Sequence, residues 1–245
     1  MAAFFTELRE TVLWDRNGKD GPLPPLLVSM TLVTGLVDAF SYLVLGHVFV
    51  ANMTGNVVLL GFALVGAPGF SIVASVTAIA SFGLGSVAGG RIGARFSDHR
   101  GRQLSFAAFL QATCLAAGVI LAALGASEPS AGYRYSLIVV LAIAMGVQNA
   151  TARKLAVADL TTTVLTLTIT GIAADSTIGG GKASRSGRRL VAVGTMLAGA
   201  VGGAAFIIHN EVVFPLLIAL LVALGVGTPA GVLGRSSPSW AVSQG

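Results

Sequence analysis

Charged residues are scarce in this chain of 245 residues, making up 10% of the sequence, against about 25% in an ordinary soluble domain. Hydrophobic residues make up 54%. This composition indicates a membrane protein whose surroundings are the lipid bilayer. The 15 Lys and Arg residues outnumber the 10 Asp and Glu residues, but no basic patch is interleaved with aromatic residues, so nucleic acid is not expected as a partner.

Cysteine is also nearly absent. The single residue, Cys114, excludes a disulfide framework and a thiolate metal cluster. The chain contains no HExxH, GxSxG or CxxC motif, so hydrolase and redox chemistry lack a recognisable nucleophile or metal set. We therefore expect no enzymatic activity, no cofactor and no metal site.

Long apolar runs are abundant. A run of about 17 to 22 residues is long enough to span a hydrocarbon core of about 30 Å. Six such runs predict six transmembrane helices, near residues 25–45, 70–90, 104–125, 136–152, 190–208 and 212–233. The sequence therefore predicts an all-α polytopic membrane protein.

Two further apolar runs, 54–67 and 160–174, are too short to cross a bilayer. The distribution of positive charge indicates what they do, because Lys and Arg concentrate on the cytoplasmic side of membrane proteins. If both short runs return to the side they came from, fourteen of the 15 Lys and Arg residues lie on one side and only Arg134 lies outside. We therefore predict two re-entrant half-helices, within 46–67 and 153–174, and cytoplasmic termini in a bacterial plasma membrane.

This topology divides the chain into two halves of three spans each. Because three is an odd number, the second half is inserted upside down relative to the first, as in many transporters. GLVDA at 35–39 resembles GVQNA at 146–150, and the pair Gly89 and Gly90 parallels Gly202 and Gly203. The predicted regions are a cytoplasmic N-terminal segment 1–24, a first repeat 25–125, a second repeat 126–233 and a cytoplasmic tail 234–245.

A polar motif opens each short run, ANMTGN at 51–56 and ADLTTT at 158–163. A helix that begins within the membrane presents unpaired N–H groups, which suit an anion or the oxygen of a polar solute. Two such ends near the membrane midplane would form a substrate pathway. Its candidate lining residues are Asn52, Thr54 and Asn56, with Asp159, Thr161 and Thr163 as counterparts. Alternatively, Asn52 and Asp159 only cap their own helices.

Asp38 is the only ionisable residue well inside a predicted span, where a charge is costly and usually faces a partner or a cavity. It is therefore a candidate to tune or couple transport, with Asn149 as its non-titrating counterpart. The alternative is a neutral Asp38 that hydrogen-bonds to Ser, Thr or backbone across a helix contact.

Glycines recur four residues apart in two spans, at Gly85, Gly89 and Gly93 and at Gly199 and Gly203. In an apolar span this spacing predicts close helix packing rather than a nucleotide loop. The glycine-rich spans also motivate a prediction of homodimerisation.

The regions 34–64 and 144–175, which contain TGLVDA, ANMTGN and ADLTTT, resemble the two signature regions of the YoaK family of bacterial inner-membrane proteins, a domain of unknown function. The resemblance covers about residues 24–233. It implies a six-span plasma-membrane protein and leaves the substrate open. The threonine run 161–163 departs from the family, whose second half often carries more glycine.

We therefore expect a transporter or channel-like carrier of a small polar metabolite or anion. The alternatives are a non-transporting membrane scaffold or accessory subunit, whose polar residues only cap helices, and an intramembrane enzyme. A solvent-accessible gap between the two motifs would favour transport, whereas a dry, fully paired contact would favour the scaffold.

Overall fold

The computed structural model describes residues 2–13, 18–125, 130–181, 186–235 and 239–242. Every element that it defines in these residues is a helix. Six of them are long and apolar enough to cross a membrane, which is the number expected. The helices are α1 (Ala2–Val12), α2 (Leu23–Val44), α3 (Met53–Leu64), α4 (Ile72–Arg95), α5 (Arg100–Gly125), α6 (Ala131–Leu155), α7 (Thr166–Ala174), α8 (Ser186–Ile208) and α9 (Phe214–Gly234).

The long helices match the predicted spans to within five residues, and the largest differences are at the end of α4 and the start of α6. Both of these extensions include arginines, Arg91 and Arg95 in α4 and Arg134 in α6. The predicted spans stop short of these arginines because they were defined as uncharged or nearly uncharged stretches of sequence. The helix continues past them because a long arginine side chain can carry its charge to the boundary while its stem lies along apolar surface.

The second short helix differs most from its prediction, because α7 begins at Thr166 rather than near residue 160. The preceding backbone is irregular, and Asp159 and Thr162 both have φ near +62°. The Thr161 hydroxyl donates to the Val164 carbonyl at 2.9 Å. Threonine hydroxyls that bond locally in this way compete with helical hydrogen bonds, which explains the late start of α7.

Close approach of backbones at glycines sets the main helix crossings. A Cβ atom on Gly85 of α4 would overlap the backbone of Ile143 in α6, and one on Gly89 would lie 2.8 Å from the Val147 carbonyl oxygen. A Cβ atom on Gly93 would lie 3.0 Å from the Lys154 side chain. In an apolar environment, small residues stabilise helix pairs by allowing such contacts.

The α2–α8 crossing has the same construction. Gly199 of α8 lies against Leu32, and a Cβ atom on Gly203 would lie 3.0 Å from the Ala39 side chain. Gly90 and Gly202 face open space. Of the pairs Gly89–Gly90 and Gly202–Gly203, which the sequence analysis compared, only Gly89 and Gly203 lie at a helix crossing.

These glycines also bear on homodimerisation. Gly85, Gly89, Gly199 and Gly203 are occupied by crossings within one chain. Their spacing therefore no longer supports a dimer, and we do not propose one.

The glycine contacts also give helix directions. Gly85 lies against Ile143 and Gly89 against Val147, so residue numbers rise together and α4 runs parallel to α6. By the same criterion α2 runs parallel to α8. In contrast, the second half of α2 shares a hydrophobic cluster with the first half of α6, so these two helices are antiparallel. It follows that α4 starts at the end of the bundle where α2 finishes, and that α8 starts where α6 finishes.

Candidate functional site

Asp38 ties the loop before α3 to the side of α2. Its carboxylate oxygen Oδ1 accepts a hydrogen bond from the Ala51 N–H at 3.0 Å, and the side chain is 7% exposed. Asp38 lies six residues before the end of α2, or about 9 Å along the axis of a helix about 33 Å long. The loop before α3 is therefore attached about a quarter of the way along α2 from its end, whereas the sequence predicted that α3 begins near the membrane midplane.

Asn149 plays the matching role in the second half. Its amide nitrogen Nδ2 donates to the Thr163 hydroxyl at 2.7 Å, and it lies six residues before the end of α6. Because α2 and α6 are antiparallel, the two attachment points lie at similar depths from opposite ends of the bundle.

Between these attachment points lies a group of buried, uncharged polar side chains. The Gln148 amide nitrogen Nε2 donates to the Thr34 hydroxyl at 2.8 Å and to the Thr162 hydroxyl at 3.1 Å. The Gln148 oxygen accepts from Gln111 Nε2 at 2.6 Å. Thr34, Gln111, Gln148 and Thr162 are each at most 2% exposed. Together with Asp38, Asn149 and Thr163, they form what we call the polar column.

One atom of the polar column is unsatisfied. The Gln111 oxygen Oε1 is buried and has no hydrogen-bond partner among the described residues. A buried polar atom without a partner costs about 1 to 3 kcal/mol, and such atoms are uncommon in native structures. The polar column therefore has an unused acceptor at its centre.

The sequence reasoning missed both glutamines. Gln111 and Gln148 were visible as polar amides inside apolar spans, and Gln148 stands beside Asn149 in the quoted string GVQNA. Polar side chains inside membrane spans commonly hydrogen-bond across helices, so this was a usable signal. Attention to ionisable residues alone left it out.

The other residues expected near α3 divide into two kinds. Asn52 caps the helix by accepting from the Gly55 N–H at 3.2 Å and is exposed, as is Thr54. Asn56 is fully buried, and its Oδ1 accepts from the Phe49 N–H at 2.9 Å. Asn56 therefore closes its own loop and does not line a pathway.

The expectation that Asp159 caps the second short helix is wrong. The N-cap of α7 is Leu165, which makes no side-chain capping bond. Asp159 instead pairs with Arg189 of α8, whose Nε lies 3.0 Å from Asp159 Oδ1. Arg189 also pairs with Asp175 at the end of α7, at 2.6 Å. We call Arg189, Asp159 and Asp175 the arginine clamp.

Replacing Arg189 by Gln is expected to loosen the segment 159–175. The guanidinium is 12% exposed, and removing it leaves two neighbouring carboxylates without their shared counter-charge, which is the costly way to break a partly buried pair. We expect amide hydrogen exchange across 159–175 to accelerate at least about tenfold. Arg153→Gln, a change at an exposed arginine on α6, is the matched control and should leave exchange there unchanged. Equal rates of amide hydrogen exchange across 159–175 in the two variants would contradict the role proposed for the arginine clamp.

A separate cavity of about 850 Å³ opens at the end of the bundle where α2 and α5 finish and α6 begins. Phe40, Leu45 and Leu137 are among its apolar lining residues, and Arg134 and Glu211 are the charged ones among the residues that the structure describes. It does not include the residues of the polar column. A second cavity, of about 460 Å³, lies between α5 and α9 and also includes none of the residues of the polar column.

Comparison with known proteins agrees with this architecture. The model of a family described as "Protein of unknown function (DUF1275)" matches residues 26–228. The chain is 36% identical over 151 residues to the UPF0700 transmembrane protein YoaK of Bacillus subtilis (strain 168), a match that covers 61% of this chain and 65% of that protein. No solved structure matches the chain. With most of its length matched and six apolar helices, the chain belongs to the DUF1275 family, and it is a multi-pass membrane protein related to YoaK.

Proposed function

We propose that this protein is a transporter or channel-like carrier of a small polar solute, and that the polar column is its solute site in a closed state. The observation that carries the proposal is the unpartnered Gln111 Oε1 within a group of buried amides and hydroxyls. A solute with a hydrogen-bond donor would satisfy that oxygen. Polar groups inside membrane spans are costly, and they commonly mark solute pathways.

The proposed topology contains two re-entrant segments. If the six long helices cross the membrane, α3 must leave and return on one side, because α4 starts at the end of the bundle where α2 finishes. The same argument applies to α7, between α6 and α8. Irregular backbone at membrane depth requires protein partners. Asp38 and Asn149 supply such partners for the loops before α3 and α7.

In the proposed inverted repeat, α2 corresponds to α6, α3 to α7, α4 to α8 and α5 to α9. Under this correspondence the α4–α6 crossing becomes the α8–α2 crossing, which has the same glycine-against-backbone construction. The proposed two-fold relation therefore accounts for contacts as well as for helix order. Transporters with inverted repeats carry their solute site at the repeat interface, where Gln148 of α6 meets Thr34 of α2.

We propose that both termini face the cytoplasm of a bacterial cell. The start of α2 and the C-terminal segment lie at one end of the bundle, where Trp240 contacts Gly21. Arg100 lies at the same end, 3.0 Å from Asp20. The positive-inside rule assigns this arginine-bearing end to the cytoplasm. Arg16, Lys182 and Arg185, which the sequence also assigns to this side, lie outside the described residues.

The scaffold remains the second candidate function, because one observation favours it. Asp38, Asn56, Asn149 and Thr163 are all hydrogen-bonded within the chain. An enzyme is not proposed. Asp38 is held by Ala51 and Asp159 by Arg189, so they do not form an acid–base pair.

Cysteine accessibility distinguishes transport from a scaffold. Single cysteines are placed at Asn52, Thr161, Thr34 and Thr162 in a Cys114→Ala background and treated with membrane-impermeant thiol reagents from each side. We expect Asn52→Cys to react from outside and Thr161→Cys from inside, because both positions are exposed. Cysteines at Thr34 and Thr162 should react slowly, as the site opens, and should be protected by a transported solute.

The matched control is Ala108→Cys, at a fully buried position between α5 and α9 that is outside the polar column. If cysteines at Thr34 and Thr162 stay as unreactive as the one at Ala108, while Asn52→Cys and Thr161→Cys react, the polar column does not open and the scaffold is the better conclusion. Reaction of Asn52→Cys from the inside would instead contradict the re-entrant topology.

A further inference from the structure

The cavity at the end of α2 has the size and lining of a small-molecule site. Its volume of about 850 Å³ falls in the range of about 300 to 1,000 Å³ typical of ligand pockets. Phe40 and Leu45 are at most 1% exposed and lie behind the wall of the cavity, whereas Val44, Val212 and Phe214 offer apolar surface that a ligand can contact. Such sites bind an apolar body and orient it with a few polar groups.

Arg134 is the polar group that distinguishes this cavity. It lies in the first turn of α6 and is partly buried. Its guanidinium lies close to Gly46, in the turn after α2, and its central carbon is 5.3 Å from the Tyr135 ring centre. These neighbours hold the guanidinium at the cavity without neutralising it.

The Arg134 Nε is buried and has no acceptor among the described residues. A buried charged donor without an acceptor is costly. Arginine presents its donors in a planar fork that matches the two oxygens of a carboxylate. Arg134 lines the cavity and makes no ion pair among the described residues, so an anionic ligand there would meet a guanidinium without a counter-charge.

Glu211 also lines the cavity but does not replace such a ligand. It is exposed, and the ion pairs of the described residues do not include one between Glu211 and Arg134. An exposed carboxylate in water contributes little to binding at a distance. It would nevertheless favour a ligand that also carries an ammonium group.

We propose that this cavity, the Arg134 cavity, binds a small carboxylate with an apolar body, whose carboxylate pairs with Arg134 and whose body lies against Val44 and Val212. The inference does not rest on transport, because binding can be measured whether or not the protein moves the ligand. Two sources share this chemistry, a simple carboxylic acid and an amino acid with an apolar side chain.

The test uses the full chain, purified in mild detergent, and three probes of similar shape. These are 3-phenylpropionate, its neutral amide 3-phenylpropionamide, and phenylalanine, which adds an ammonium group. Calorimetric titration should show saturable binding of 3-phenylpropionate and binding at least about tenfold weaker for the amide. Arg134→Gln should weaken the binding of 3-phenylpropionate at least about tenfold. Arg91→Gln, a change at an exposed arginine on α4, should leave this binding unchanged.

A second variant protects the test against misfolding of Arg134→Gln. Val212→Trp places a larger side chain in the cavity lining without changing the charge, and it should weaken the binding of 3-phenylpropionate. If phenylalanine binds more tightly than 3-phenylpropionate and Glu211→Gln removes the difference, the natural ligand is an amino acid; otherwise it is a simple acid. Equal binding of acid and amide, undiminished binding in Arg134→Gln, or no binding of any probe at about 10 mM would overturn the proposal.

Discussion

Replacing Gly85 or Gly146 by alanine is expected to lower the thermal stability of this protein strongly for a change of only one methyl group. The two residues face each other where α4 crosses α6. A Cβ atom on Gly85 would overlap the backbone of Ile143, and one on Gly146 would overlap that of Phe82. Backbone cannot rotate away as a side chain can, so the helices must separate and lose their contact.

The expected loss is about 1 to 3 kcal/mol or more for each variant, the usual cost of an overpacked interior. It is measured as a fall in the apparent Tm of the detergent-solubilised protein. The α2–α8 crossing has the same construction, so Gly35→Ala and Gly199→Ala should show a comparable loss. A large effect at one crossing and none at the other would count against the proposed two-fold relation.

The chain offers matched controls on the same helix. Gly83 and Gly90 of α4 face open space, with no atom within 4 Å of a Cβ atom. Alanine there removes only the conformational freedom of glycine, so stability should stay unchanged or rise by about 0.5 to 1 kcal/mol. If Gly90→Ala were as destabilising as Gly85→Ala, helix propensity or insertion into the membrane, rather than the crossing, would explain both results.

Replacing Gln148 by leucine is expected to have the second large effect. Gln148 joins α6 to α2 through Thr34, to α5 through Gln111 and to the loop before α7 through Thr162. The substitution removes these bonds and leaves the buried Gln111 amide nitrogen without its acceptor. We expect a loss of about 1 to 3 kcal/mol in stability, measured as a lower Tm.

The double variant separates structure from function. Thr34 can still donate to the Met30 carbonyl of its own helix, at 3.2 Å, so the amide left unsatisfied is mainly that of Gln111. Gln111→Leu combined with Gln148→Leu should therefore be more stable than the sum of the two single losses predicts, by about 1 kcal/mol. Solute protection of a cysteine at Thr162 should nevertheless be lost in the double variant. Retained protection would contradict a solute site at the two glutamines.

The sequence predicted the long helices well, because each depends on a local property, the length of an apolar run. It also predicted that two short apolar runs are distinct from the spans, and that the second ends at residue 174. The same reasoning failed within 158–165. There, the match between ADLTTT and ANMTGN suggested a helix cap at Asp159, whereas the tertiary contact with Arg189 holds that residue away from the start of α7.

The register of the proposed repeat shows the same division. The sequence comparison paired Gly89–Gly90 with Gly202–Gly203 and Asp159 with Asn52. If the repeat is compared by contacts, Gly89 pairs with Gly203, and the bond from Asn149 to Thr163 corresponds to the bond from Ala51 to Asp38. Identical residue types are a poor guide to the register of the proposed repeat. A helix crossing requires only a small residue, and the attachment of a loop requires only a hydrogen-bond donor or acceptor.

The sequence by itself determined that this chain lies in a membrane, how many helices can cross it, and that its few intramembrane polar residues need partners. These properties follow from the transfer of each segment out of water, which depends on composition and length. Only the tertiary structure decided which partners those residues have. The polar column joins α2, α5, α6 and the loop before α7, and the Arg134 cavity lies between helix ends far apart in the chain. Hydrogen bonds and cavities depend on distances of a few ångströms between such segments, and helix crossings at glycine set those distances.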